Sequence, residues 1–350
     1  MLADLALVGF GHVGRRFARL LDERREALAR DFDLTCHVTG IATRRHGAIY
    51  NAAGVDAVGA AGLIEAGGSL ADAGAPAGVT GSHDVIARLA ESPAALRVLV
   101  ETTTLDINAA EPARSHVRIA LTAGCHVVTA NKGPVAFAYR ELSALAERSG
   151  VRFLFEGAVM DGVPVFNLVR ETMPTVRIEG FRGVVNSTTN HILTALENGE
   201  AFAPALAHMQ AEGIAEADAS LDVDGWDAAA KAAALANVLL DGAVTPRDVD
   251  RTGIGPDTAS WAREAMTRAC RVRLVASARR GSRPIVRPEE LPQDDLLAGL
   301  RGMANALILD TDTLGRVVIC QLDGGLTHTA YALLSDLIAI RKGCAVAAGV

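Results

Sequence analysis

The chain is poor in aromatic side chains: Phe, Trp and Tyr make up 4% of its 350 residues, and alanine fills much of the apolar quota instead. It has five cysteines, Cys36, Cys125, Cys270, Cys320 and Cys344, far apart and with no CxxC. That spacing does not suit a disulfide scaffold and fits reduced thiols in a cytoplasm. No basic block stands out, and the net charge is -7. Nucleic acid is therefore not an expected partner. No apolar run is long enough to span a bilayer, so no membrane association is expected. The first residues, MLADLALVGFG, lack a basic n-region and carry Asp4, unlike a signal peptide. The nine histidines show no HxxxH with a third partner, which speaks against a catalytic transition metal. There are no repeats and no low-complexity segment; SARRGSRP, 277–284, reads as an exposed basic loop.

What remains is half hydrophobic and 21% charged, the profile of a globular protein with a sizeable core. The length suggests two domains or one large one. The apolar run Leu5–Val8 leads into Gly9-Phe10-Gly11-His12-Val13-Gly14 and then into RRFARLLDERREAL, where apolar residues recur at helical spacing. Strand, glycine turn and helix are the context that the GxGxxG dinucleotide fingerprint requires. The first glycine allows the tight turn, the second lets the backbone approach a pyrophosphate, and the third lets helix pack close to strand. The unpaired N–H groups of the helix start then face the phosphates. The competing reading is a glycine-rich turn in an ordinary βα unit.

A second strand, 34–42, ends at Thr43-Arg44-Arg45-His46-Gly47. An NAD site usually places an acidic residue there for the ribose 2′-hydroxyl; two arginines suit a 2′-phosphate, which favours NADP with NAD as the alternative. Both could also simply face solvent. Further strands are expected at 96–103 and 124–133, with helices at 83–92 and 110–123 between them. The alternation implies an α/β fold with a Rossmann-type parallel sheet. Thr102, Thr103, Asn131 and Lys132 fall at strand ends, the ligand side of such sheets.

Beyond Pro134 the pattern changes. A helix (136–149), a strand VRFLFEGAV and a loop MDGVP precede a strand at 176–186, which runs into Asn186-Ser187-Thr188-Thr189-Asn190 and an apolar helix. The hydroxyls and amides there suit helix N-caps and also suit a small polar substrate. Asp222, Asp224 and Asp227 then crowd the start of a helix, AAAKAAALANVLL, that is apolar almost all round. Asp227 and Lys231 are four apart and share one face. A surface pair would contribute only ~0.3–0.5 kcal/mol. But helices of this composition are buried, and a lysine in one needs a charged partner or a ligand. Lys231 is therefore expected in a polar cavity beside Asp227. A strand (316–321), the loop Asp323-Gly324-Gly325 and a final apolar helix close the chain.

The set GFGHVG, HVVTANKGPVA, EGAVMDGVP, VVNSTTNHIL and AEADASLDVDGWDAAAK resembles the homoserine dehydrogenase family along nearly the whole chain. The last segment is the most specific, because Glu216, Asp227 and Lys231 match the family's Glu…Asp…Lys spacing, and Lys132 matches its Thr-Ala-Asn-Lys lysine. The resemblance implies NAD(P)-dependent interconversion of L-aspartate 4-semialdehyde and L-homoserine, in homodimers joined through the second domain. It implies Lys231, Lys132 and Asp227 as catalytic residues, and Glu216, Asp222, Asn186, Thr188 and Thr189 around the substrate. For the cofactor it implies Gly9 to Gly14, Arg44, Arg45, Thr102, Thr103, Asn131, Lys132 and Gly325. It also implies a Na+ or K+ ion on backbone carbonyls of Glu156, Val159, Asp161 and Val163. A dinucleotide domain over 1–134, completed by about 322–350, and an α+β substrate and dimerisation domain over 135–321 are expected. The short form is expected, without kinase or regulatory domain and without strong feedback by threonine through one. Three stretches depart from the family: NSTTNH replaces its usual Asn-Gly-Thr-Thr-Asn-Tyr, Met160-Asp161 intervene where small residues are usual, and Asp323-Gly324-Gly325 replaces a Gly-Pro-Gly-Ala-Gly run. The alternatives are a dehydrogenase of this architecture for another amino-acid semialdehyde and a non-catalytic NAD(P)-binding sensor. No cysteine has the setting that a phosphorylating semialdehyde dehydrogenase needs.

Overall fold

The computed structural model of the chain describes residues 1–73, 78–211 and 219–347. The chain forms two compact units. The first comprises Met1–Pro164 and Gly325–Val350; the second is the continuous stretch Val165–Gly324.

The first unit is built on six strands: β1 (Leu2–Val8), β2 (Thr35–Ala42), β3 (Ala48–Tyr50), β4 (Leu96–Glu101), β5 (His126–Thr129) and β6 (Phe153–Leu154). Their order is β3-β2-β1-β4-β5-β6, parallel except where β3 runs back along β2. β1 is buried from Ala3 to Val8, as a strand covered on both faces must be. The strand order reverses direction at β1, between β2 and β4, and such a switch point is where open α/β sheets bind ligands. The helix His12–Glu23 turns Phe17, Ala18, Leu20 and Leu21 inward. They share a core with Leu333, Leu334, Leu337 and Ile340 of the last helix, Leu326–Ala347.

Sequence patterning puts the domain boundary at 134/135; the fold puts it after Pro164. The reason is pairing. β6 lies parallel to β5, so the helix Lys132–Arg148 is one more crossover of the first sheet. The expected strand VRFLFEGAV is only the pair Phe153–Leu154, followed by a 3-10 turn at Glu156–Ala158. Asp336 of the last helix, fully buried, accepts from the Glu156 N–H at 2.8 Å and ties that turn down.

The second unit carries β7 (Ile178–Val184), β8 (Asp250–Arg251), β9 (Cys270–Arg279), β10 (Ile285–Pro292), β11 (Asn305–Thr311) and β12 (Arg316–Gln321). Their order is β12-β11-β7-β9-β10-β8, antiparallel except β8 against β10. Helices Ser187–Glu197, Trp226–Leu239 and Pro256–Thr267 pack against β9. The basic segment at 277–284 is the end of β9 and its hairpin, and Arg280 is not a solvated cation: its guanidinium donates to the carbonyls of Ile178 and Leu239 and pairs with Asp241. Among the described residues, no helix is long and apolar enough to cross a membrane.

Candidate active site

Each unit carries one group of the candidate residues. In the first, the three glycines of the turn do three different things. Gly9 has φ +88°, and a Cβ there would collide with the backbone of Thr102 and Thr103. A Cβ on Gly14 would stand 2.6 Å from the Gly9 carbonyl, so helix and turn touch only because it is missing. Gly11 faces open space, and no side chain caps the helix that follows it. A cradle with open backbone at Gly11 and uncapped N–H groups behind it fits a pyrophosphate. Phe10 is buried, Val13 is half-buried and His12 is exposed.

The neighbouring strand ends complete this group. β4 stops at Glu101, two residues short of the expected end, because Thr102 turns over the glycine loop: its N–H donates to the Val8 carbonyl at 2.8 Å and its hydroxyl to the Gly9 carbonyl. β5 stops at Thr129. Asn131 then caps the next helix, its Oδ1 accepting from the Gly133 N–H at 2.8 Å, and Lys132 is the first helical residue, half-buried. Past β2, residues 43–47 form a tight turn: Thr43 N–H donates to the Gly47 carbonyl, and the Thr43 hydroxyl oxygen accepts from His46 N–H at 2.7 Å. Arg44 and Arg45 project from it, exposed. Since Gly9 N–H donates to the carbonyl of Ala42, the arginine turn starts one residue from the glycine turn's own anchor.

The loop 156–163 and the start of the last helix are joined within this unit. Asp161, at φ +48°, accepts from the Gly325 N–H and from the Thr329 hydroxyl at 3.3 and 3.1 Å. Two of the three departures from the family pattern thus touch each other. A hollow of about 360 Å³ also lies in this unit, among Leu21, Leu28, Leu34, Val38 and Val55. It sits at the N-terminal end of β2, away from the strand ends that carry the glycine turn, so it is not the candidate site.

The second group is made of side chains. Lys231 lies on the helix Trp226–Leu239, whose residues Ala228–Ala230 and Ala232–Ala236 are all buried. Its Nζ stands 3.2 Å from Asp227 Oδ2, and both side chains are only 15% exposed, which removes the surface-pair reading. Nζ also donates to the carbonyl of Val185, just past the end of β7, at 2.6 Å. Asn186 joins the group: its Nδ2 donates to Asp227 Oδ2 at 2.8 Å and to Asp222 Oδ1 at 2.7 Å. Its Oδ1 meanwhile caps the helix Ser187–Glu197 through Thr189 N–H and is met by the Thr189 hydroxyl, both at 2.8 Å. The hydroxyl–amide run therefore serves as a cap at Asn186 and Thr189, the latter fully buried, with Thr188 nearly so. Ser187, where the family usually has glycine, accepts from Asn305 Nδ2 at 2.7 Å. Glu216 lies outside the described residues. One helper had no signal in the sequence: the Val185 carbonyl, which any residue could supply.

Chemically, a lysine held by a carboxylate and a carbonyl can stabilise and protonate an oxyanion, and paired aspartates can receive an ammonium. Comparisons with known proteins cover both units. The family model for the homoserine dehydrogenase NAD-binding domain matches residues 9–156, and the model for homoserine dehydrogenase matches residues 164–338. The chain is 37% identical to an NAD(+)-dependent homoserine dehydrogenase of Pseudomonas canavaninivorans, over 97% of this chain and 96% of that one. It is 34% identical to a homoserine dehydrogenase of Methanocaldococcus jannaschii, over 96% and 98%. A hyperthermophilic archaeal homoserine dehydrogenase solved in complex with NADPH is 30% identical, superposes with a TM-score of 0.80, and covers 97% and 98% of the two chains. The chain belongs to the homoserine dehydrogenase family, NAD(P)-dependent oxidoreductases that act on a CH–OH group.

Proposed function

We propose that this chain interconverts L-aspartate 4-semialdehyde and L-homoserine. The observation that carries the reading is the half-buried group of Lys231, Asp227, Asn186 and Asp222 in a chain whose other unit holds an intact dinucleotide turn. When bound, the nicotinamide dinucleotide supplies or accepts the hydride. In the reducing direction the substrate carbonyl oxygen gathers negative charge. Lys231 as an ammonium stabilises that charge and donates the proton. Asp227 and the Val185 carbonyl aim Nζ. Asp222, with Glu216, offers carboxylate to the substrate ammonium. Lys132 heads its helix on the cofactor side of the first sheet and serves nicotinamide and substrate together. A non-catalytic sensor has no use for a lysine held in this way.

Arg44 and Arg45, exposed on a pinned turn at the end of β2, support NADP(H) as the preferred cofactor. The carbonyls of Glu156, Val159, Asp161 and Val163 remain the candidates for a Na+ or K+ ion, in a loop that Asp161 braces through its side chain. A homodimer through the second unit is supported by its edge strand β12, where Val318 is 43% exposed and Leu322 just beyond it 72%. Five free cysteines fit the cytoplasm. The test is direct: aspartate 4-semialdehyde is added to the purified chain with NADPH or NADH, and absorbance of the reduced cofactor is followed. Turnover with formation of homoserine is expected. Absence of turnover with both cofactors overturns the reading.

A further inference from the structure

Glu101 ends β4, an otherwise apolar strand apart from Arg97, and it is fully buried. Burying a carboxylate costs heavily unless donors meet its oxygens. Here they do. Oε1 accepts from the Thr103 N–H at 3.0 Å and from the Thr103 hydroxyl. The hydroxyl of Thr129, the register partner of Glu101 on β5, has one proton to give and stands 2.8 Å from the Glu101 backbone carbonyl and 3.1 Å from Oε2. Buried His116 brings Nδ1 to 3.8 Å from Oε1, while its Nε2 meets Ser82 Oγ at 2.8 Å. Both donors on Oε1 come from Thr103, so an acceptor fits there. A glutamine of equal length either turns its NH2 toward the Thr103 donors or turns it to Thr129 Oγ1 and keeps its oxygen on Thr103 without the charge that strengthens those bonds.

The groups that Glu101 holds lead directly to the strand-end residues of the cofactor half. The Thr103 carbonyl accepts from Asn131 Nδ2 at 2.9 Å, and Thr129 Oγ1 accepts from the Asn131 N–H at 2.9 Å. Asn131 in turn caps the helix that Lys132 opens. The loops after β4 and β5 are thus laced together over one carboxylate. We propose that Glu101 is a positioning residue for the reaction: it fixes Thr103 and Asn131, and through them the place of Lys132. It works through these residues rather than on the reacting atoms. The part given to Lys132 rests on the functional reading above. Displacing a reacting group by about an ångström can cost on the order of 10²-fold in rate.

The experiment is Glu101→Gln, with Thr129→Val as a second variant that removes, at nearly constant shape, the hydroxyl lying between Glu101 and the Asn131 N–H. Homoserine oxidation, fluorescence titration with NADPH and thermal unfolding are measured on each. For Glu101→Gln, kcat should fall roughly 10- to 100-fold while KM for homoserine, set in the second unit, moves less than about threefold. For Thr129→Val the fall in kcat should be smaller but in the same sense. A merely structural glutamate would lower the unfolding midpoint and leave turnover of the folded enzyme alone. Turnover within about twofold of the parent in both variants overturns the proposal. If the unmodified chain oxidises no homoserine with either cofactor, the functional reading fails by itself. The titration then decides the positioning role: NADPH binding weakened several-fold in Glu101→Gln supports it, and unchanged binding overturns it.

Discussion

The two groups of candidate residues, one in each unit, are made of different material. The cofactor half is mostly backbone: a turn shaped by the absence of Cβ at Gly9, Gly11 and Gly14, and strand ends that present N–H and C=O groups. The substrate half is side chain: an asparagine amide, two aspartates and a lysine, closed by one carbonyl. A backbone site tolerates exchange of almost everything except its glycines. A side-chain site tolerates almost no exchange among its own members, because each donor answers a named acceptor. In the proposed function the first takes a part common to many reactions, and the second chooses the reaction.

The strongest way to break that contrast is at Lys231. Lys231→Ala should lower turnover by roughly 10²–10⁴, the usual range for a positioned acid–base group. NADPH affinity should hardly move. Lys231→Arg should not rescue, because guanidinium stays charged at working pH and has a different shape. Near-normal turnover in the alanine variant would hand the proton to Lys132. The measurement is steady-state oxidation of homoserine beside a separate cofactor titration.

Gly11 tests the other half. A Cβ there meets nothing in the protein, so Gly11→Ala should fold with an unchanged unfolding midpoint. Cofactor affinity should still drop roughly tenfold, about 1.4 kcal/mol, because the methyl stands where the pyrophosphate approaches. Gly9→Ala, with its positive φ and its collision with Thr102, should instead lose stability as well. Equal effects of the two changes, read by calorimetry and titration, would mean that the turn is structural only.

The arginine turn sharpens the comparison, since there the cofactor group presents exposed, charged side chains. Replacing Arg44 and Arg45 together by serine should weaken NADP(H) roughly tenfold more than NAD(H), the scale of a charge-assisted phosphate contact. Equal losses for the two cofactors would mean that neither arginine reads the 2′-phosphate.

The smallest effect concerns stability alone. His126 on β5 is half-buried and faces Arg152 and Arg97, and together these push its pKa down to about 4, loss of solvent contributing most. Its Nδ1 accepts from the Arg152 N–H at 3.0 Å, which requires the neutral ring. The unfolded chain takes up this proton near the ordinary value of about 6.5. Stability is therefore complete above 6.5 and is lost as the pH falls toward 4, because only the unfolded state binds the proton across that window. In His126→Gln the difference between urea midpoints at pH 7 and pH 5 should shrink. An unchanged difference would assign the acid loss elsewhere.

The contrast also explains what could be read in the sequence. The glycine turn is local, six residues between a strand and a helix, and its geometry follows from steric rules at each position. The Asp227–Lys231 pair is local too, fixed by helical spacing. Asn186 is not: its partners Asp222 and Asp227 stand 36 and 41 positions away, and only the fold reveals that one amide serves both. Glu101 gave no signal, because one carboxylate at the end of an apolar strand has no periodicity. The change of pattern at Pro134 does not mark the domain boundary for a similar reason: a two-residue strand, β6, decides it through pairing with β5, and its sequence looks like the opening of a longer strand.

The last helix has a consequence for the order of events during synthesis. It supplies Leu333, Leu334, Leu337 and Ile340 to the core beneath the glycine-turn helix, and Asp336 to the Glu156 turn. The cofactor unit is therefore written in two pieces, with the whole of the second unit between them. A ribosome delivers every residue of the substrate unit before it delivers the segment that finishes the dinucleotide core. The second unit can fold first, and the unit that carries the glycine turn waits, its apolar face uncovered, for the final helix to emerge.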